Sequence, residues 1–228
     1  MRVQNAFDAP AEVAPPAPQK PLLRGVSHEI AAGLALAGAV ALAALAPSGL
    51  ARAGAAVYGA SLVILFSVSA LYHRRNWPPR ARLMMRRLDH SAIFVLIAGT
   101  YTPLCLMLGG RPGRTLLAAV WAGALLGVIQ SVAWPRAPKA LVAALAVALG
   151  WAVVPMLPAL RASLGNGSLV LLGAGGALYT LGAVIYATGK PDPFPKVFGY
   201  HEVFHALVIA AAALHFAVVA GAVLAIAS

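Results

Sequence analysis

Charge is scarce in this sequence. Only 10% of its 228 residues are Asp, Glu, Lys or Arg, and six of them are acidic. A water-facing domain carries about 25% charged residues, so the chain has too little polar surface to close a soluble fold. Cysteine occurs once, as Cys105 inside an apolar run. That excludes an intrachain disulfide and a cysteine-based zinc site. No internal repeat is visible. A signal peptide is not expected, because the first apolar run starts late and lacks a cleavage pattern.

Apolar residues are abundant instead: 61% of the chain is hydrophobic, and its mean hydropathy is +0.84. Repeated apolar runs, each close to the ~20 residues that cross a bilayer core as a helix, make an all-α, polytopic membrane protein the expected fold class. The runs fall at 28–47, 52–73, 88–109, 114–134, 139–159, 168–188 and 200–226, predicting a seven-transmembrane helix bundle over residues 25–228. Gly109-Gly110 and Gly165-Asn166-Gly167 mark turns between runs. Pro155 and Pro158 lie in the last turns of the fifth. Residues 1–24, with Pro10, Pro15, Pro16, Pro18 and Pro21, read as a disordered tail.

The net charge of +11 has the wrong distribution for nucleic acid, because the basic residues fall between apolar runs. No nucleic-acid partner is expected. With seven spans, the amino terminus shares a side with the loops after spans two, four and six. That side holds all the lysines and arginines except Arg52, Arg111, Arg114 and Arg161. The positive-inside rule then places the amino terminus in the cytoplasm. The basic stretch 74–87, with Trp77, reads as a loop that anchors to anionic membrane lipids.

On this topology, five polar residues far apart in sequence share one depth near the cytoplasmic face. Ser69 and His73 close span two, Asp89 opens span three, and His201 and His205 open span seven. Both i,i+4 pairs put their side chains on one helix face. Two imidazoles at that spacing make a natural grip on zinc, and three imidazoles match the ligand set of a catalytic zinc site. Asp89 has two roles open to it: hydrogen bonding to a metal-bound water, or a salt bridge with Arg86 or Arg87. Ser69 either helps fix that water or bonds its own helix backbone. The string His201-Glu202-Val-Phe-His205 is also an H-E-x-x-H motif, in which the glutamate serves as general base in soluble metalloproteases. Here Glu202 is turned by about 100° from His201, so a helix-start carboxylate is the better expectation. His90 faces away and is a supporting candidate. His28 and Glu29 read as interfacial. His215 lies about 21 Å further along the last span than His201, so inter-helix hydrogen bonding is expected of it.

Ser69-Ala-Leu-Tyr-His73, Arg87-Leu-Asp89-His-Ser-Ala-Ile-Phe, Ala98-Gly-Thr-Tyr-Thr-Pro103 and His201-Glu-Val-Phe-His205 together resemble the bacterial hemolysin III family. That family is similar to the progestin and adipoQ receptors, including the adiponectin receptors, and more remotely to alkaline ceramidases. The likeness runs from about Arg24 to the end of the chain. It implies seven helices in a bacterial inner (plasma) membrane. It also implies zinc held by His73, His201 and His205, with Asp89 and Ser69 around a bound water. In the receptor and ceramidase relatives the implied chemistry is hydrolysis of a lipid amide.

Three functions follow for test. The first is a zinc-dependent hydrolase of a lipid-like amide or ester, with Asp89 and Ser69 as catalytic residues. The second is a receptor-like protein or hemolysin, acting without catalysis, with a structural zinc. The third, a transporter, is disfavoured because the polar groups gather at one end of the bundle.

Overall fold

The computed structural model describes residues 20–226. Seven α-helices follow one another among these residues: α1 (Val26–Leu45), α2 (Gly49–Arg74), α3 (Pro79–Leu108), α4 (Gly110–Ala133), α5 (Lys139–Gly150), α6 (Leu157–Thr188) and α7 (Tyr200–Ala225). A 3-10 turn, Trp151–Met156, joins α5 to α6. No strand forms among the described residues, and a single bridge pairs Phe194 with Phe198. Six helical stretches are long and apolar enough to cross a membrane. Large apolar side chains such as Leu34, Leu126 and Val170 point outward. An apolar exterior around a helical bundle suits lipid as solvent, and the chain is a multi-pass membrane protein.

Local chemistry sets several helix ends. Ser48 caps α2, its hydroxyl accepting from the Ala51 N–H at 3.1 Å. Pro78-Pro79 starts α3, with a proline at the first helical position, where the missing N–H costs nothing. This start lies well before the expected residue 88. Arg80, Arg82, Arg86 and Arg87 are therefore helical, and most of the stretch read as a basic loop is the first turns of α3. A hydropathy window ends where the arginines begin, whereas the backbone hydrogen bonds continue to the prolines. The Pro-rich segment falls on residues 1–24, of which 1–19 lie outside the described residues. Its last residues join the fold: Leu22 and Leu23 donate backbone hydrogen bonds to the carbonyls of Lys196 and Val197.

The expected fifth and sixth spans appear as one 50-residue apolar stretch, Lys139–Thr188. A straight helix of that length would run about 75 Å and hold Trp151 and Thr180 roughly 43 Å apart. Yet Trp151 Nε1 donates to Thr180 Oγ1 at 3.1 Å, so the chain reverses between them. The reversal falls at Gly165, whose φ of 76° and ψ of 174° interrupt α6. That conformation is open essentially to glycine alone. The turn expected at 165–167 is thus present, although it interrupts α6, which begins at Leu157, rather than separating two runs that end at 159 and start at 168.

Buried apolar residues form two clusters. One joins α1, α2, α3 and α7 through Leu42, Tyr58, Leu62, Leu96 and Val219. The other joins α3, α4, α5, α6 and α7 through Phe94, Leu104, Val120, Val142, Leu160 and Val218. Helices α3 and α7 belong to both and hold the two clusters together.

Candidate metal centre

Four helix ends converge at one end of this bundle. The i,i+4 spacing of Ser69 and His73 on α2 turns both inward, and both are buried. The same spacing on α7 does this for His201 and His205. Each of the three imidazoles offers a ligand nitrogen, and these nitrogens all lie within 4.8 Å of one another. His73 Nε2 and His201 Nε2 are 3.2 Å apart. Helix α3 brings Asp89 alongside, with Oδ2 at 3.8 Å from His73 Nε2. Among the described residues Asp89 makes no direct ion pair with Arg86 or Arg87.

A separation of 3.2 Å between two ring nitrogens also suits a single N–H···N hydrogen bond. His205 adds a second observation. Its ring is only 1% exposed, and its Nδ1 is buried with no hydrogen-bond partner. Leaving such a nitrogen dry and unpaired costs about 1–3 kcal/mol. The three residues together could hold a metal ion.

His28, expected at the interface, is a member of this site. It is 3% exposed. Its Nδ1 lies 2.9 Å from Ser69 Oγ, so that hydroxyl bonds across to α1 rather than back along its own helix. Its ring stacks on His205, with centroids 3.7 Å apart and planes 8° from parallel. Ser69 also lies close enough to the Asp89 carboxylate to interact with it. The hydroxyl therefore sits between the imidazole of α1 and the carboxylate of α3.

Glu202 does not share this centre. Its carboxylate accepts the Gly199 N–H at 2.9 Å, capping α7, and pairs with Arg24. The H-E-x-x-H glutamate is a helix-start residue, as its angular offset from His201 implied. His90 meets the Tyr186 hydroxyl, 3.4 Å from Nε2, beside the site. His215 sits deeper, with Nε2 3.1 Å from the Leu172 carbonyl of α6, which makes it an inter-helix hydrogen bonder.

A cavity of about 410 Å³ opens onto these residues. Its walls include His73, Asp89, His201 and His205 and continue between α3, α5 and α6 as far as Thr100, Leu104 and Leu172. That volume lies in the range of small-molecule sites.

Residues 17–216 match the family model described as Haemolysin-III related. The chain is similar to "Hemolysin-3" of Bacillus cereus, 35% identical over 161 residues that cover 70% of each protein. It is also similar to "Hemolysin-3 homolog" of Bacillus subtilis (strain 168), 34% identical over 161 residues that cover 70% of this chain and 72% of the relative.

Proposed function

The chain belongs to the Haemolysin-III related family, and from that premise we propose that it is a zinc-dependent hydrolase of a lipid-like amide or ester. The observation that carries the proposal is the meeting of three imidazoles from α2 and α7 beside an α3 carboxylate, in the wall of a cavity. Zinc fits this donor set. Zn–N bonds of about 2.0–2.1 Å hold two nitrogens roughly 3.3 Å apart at the tetrahedral angle. The His73 and His201 nitrogens are 3.2 Å apart. Three histidines leave a fourth position open, as catalytic zinc sites do. When bound, zinc supplies Lewis acidity, polarising a carbonyl and lowering the pKa of a water to about 7.

The protein's own residues do the rest. His73, His201 and His205 hold the metal. Asp89 takes the proton from the attacking water and holds it on its carboxylate. The water oxygen joins the acyl carbon, and the bond from that carbon to the amide nitrogen or ester oxygen breaks. Asp89 returns the proton to the leaving atom, giving a carboxylic acid and an amine or alcohol. Ser69, fixed by His28, orients the Asp89 side of the site. The apolar reach of the cavity between α3, α5 and α6 takes the acyl part of the substrate and keeps bulk water out.

The topology belongs to the same reading. Counting the Lys139–Thr188 hairpin as two crossings gives seven spans, in a bacterial inner membrane with the amino terminus in the cytoplasm. The metal centre then lies just inside the inner leaflet. The names of the Bacillus relatives favour a second reading, cytolysis, in which the metal would be structural. Asp89→Asn separates the two. On the hydrolase reading, the purified variant keeps its zinc and loses turnover of N-acyl lipids by about 10²–10⁴-fold. Lysis of erythrocytes by the full chain at unchanged strength in this variant, with no lipid product from the unmodified protein, favours the second.

A further inference from the structure

The cavity is graded from charged to apolar along two separate helices. On α3 the lining residues recur at helical spacing, from Arg82 and Arg86 through Ile93 and Leu96 to Leu104, about 33 Å of helix. On α5 the lining begins at Lys139 and continues through Val142 and Ala146. Lys20 and Arg75 close the same end. Among the described residues, none of Arg75, Arg82, Arg86 and Lys139 has a carboxylate within salt-bridge distance, whereas Arg24 and Arg74 do. Positive charge is crowded there: burial lowers the Lys20 pKa, and the neighbouring Arg82 and Arg24 lower it further. Asp89 alone does not balance such a collar.

We propose that this cationic collar is a subsite for the anionic head group of an acyl-chain lipid, whose chain lies along the apolar end of the cavity. The inference rests on the hydrolase reading only for its chemistry: the substrate would be an acyl amide or ester with a carboxylate or phosphate on its head. Binding itself requires no turnover. A basic rim that merely anchors the protein to the membrane surface would also grade from charged to apolar along each helix, but it would not need Arg82, Arg86 and Lys139 to line the same cavity as Leu104 and Ala146.

The test is equilibrium binding to the purified full chain in zwitterionic nanodiscs. The probes are lysophosphatidate, a free fatty acid and lysophosphatidylcholine, all with one bromine-labelled chain. Quenching of tryptophan fluorescence reports entry, because Trp151 lines the apolar end. The expected result is roughly tenfold tighter binding of an anionic probe than of lysophosphatidylcholine, weakened by salt. Whichever of the phosphate and carboxylate probes binds tighter identifies the head. Arg82→Gln with Arg86→Gln, and separately Lys139→Gln, should shrink that preference and leave the zwitterion's affinity in place. Ala146→Phe, which fills the apolar wall without adding a fluorophore, should abolish the saturable part of the quenching by all three. Equal affinity for all probes overturns the proposal. So does a uniform loss in the collar variants, or saturable quenching that survives Ala146→Phe and so comes from lipid outside the bundle. Head-group selectivity without any turnover sinks the hydrolase and leaves this subsite standing; turnover without selectivity does the reverse.

Discussion

Replacing His28 tests whether the metal centre depends on a residue that is not among its three ligands. Two substitutions divide its contacts. His28→Phe keeps a flat ring on His205 and removes the Nδ1 partner of Ser69, 2.9 Å away. It also removes Nε2, which is buried without a partner. The lost hydrogen bond is worth about 1 kcal/mol, and the relief of an unpaired buried nitrogen about the same. Net stability should therefore move by less than about 1 kcal/mol. His28→Ala also removes the stack, 3.7 Å between centroids and 8° from parallel. An aromatic pair contributes about 0.5–1.5 kcal/mol, and emptying a buried ring site costs about 3 kcal/mol in total. Freed from its stack, the His205 ring can rotate, and losing a supporting contact of this kind lowers metal affinity by about 10–100-fold. Zinc affinity is read by competition with a chromophoric chelator, and stability by thermal melting in detergent. The expected order is near-native zinc binding for His28→Phe and a loss for His28→Ala. Native zinc affinity in His28→Ala refutes the positioning role. An equal loss in both variants also refutes it, because a ring nitrogen rather than the ring face would then hold the centre together.

Two further outcomes follow from the fold. Glu202→Ala removes the cap of α7 and the partner of Arg24. It should destabilise the protein by about 2–3 kcal/mol, below the full cost of breaking a buried pair because Arg24 is 22% exposed; a melting temperature within a degree of native contradicts the capping role. Gly165→Ala forces a side chain onto a φ of 76° and should cost about 1–3 kcal/mol, whereas an unchanged melt would mean that the reversal between Trp151 and Thr180 is made elsewhere.

The membrane class was legible because hydropathy needs only composition and run length. The meeting of His73, His201 and His205 was legible for a different reason. Alternating helix directions bring the last turns of α2, the Asp89 turn of α3 and the start of α7 to one end of the bundle. Angular offset along α7 argued against Glu202, and an axial rise of about 21 Å argued against His215. His28 was not legible in the same way. It lies at the start of α1, where an interfacial histidine and an inward one look identical in sequence. Only the packing of α1 on α2 and α7 turns its ring onto His205. The start of α3 was misplaced because arginines on the first turns of a helix resemble a loop to any hydropathy reading. The hairpin at Gly165 was visible as a glycine pair around Asn166, but Pro155 and Pro158 competed for the role of boundary. They fall instead at the 3-10 turn and the first turn of α6, where a missing N–H is tolerated.

X-ray absorption at the zinc edge of the purified full chain, compared with His73→Ala and His205→Ala, addresses the metal centre without reference to any substrate. About one zinc per chain, with three imidazole nitrogens at roughly 2.0–2.1 Å and a fourth, oxygen donor, is the expected spectrum, and each variant should lose an imidazole or the metal altogether. A native protein that purifies without stoichiometric metal after zinc supplementation, or whose spectrum is the same in both variants, contradicts the centre described here.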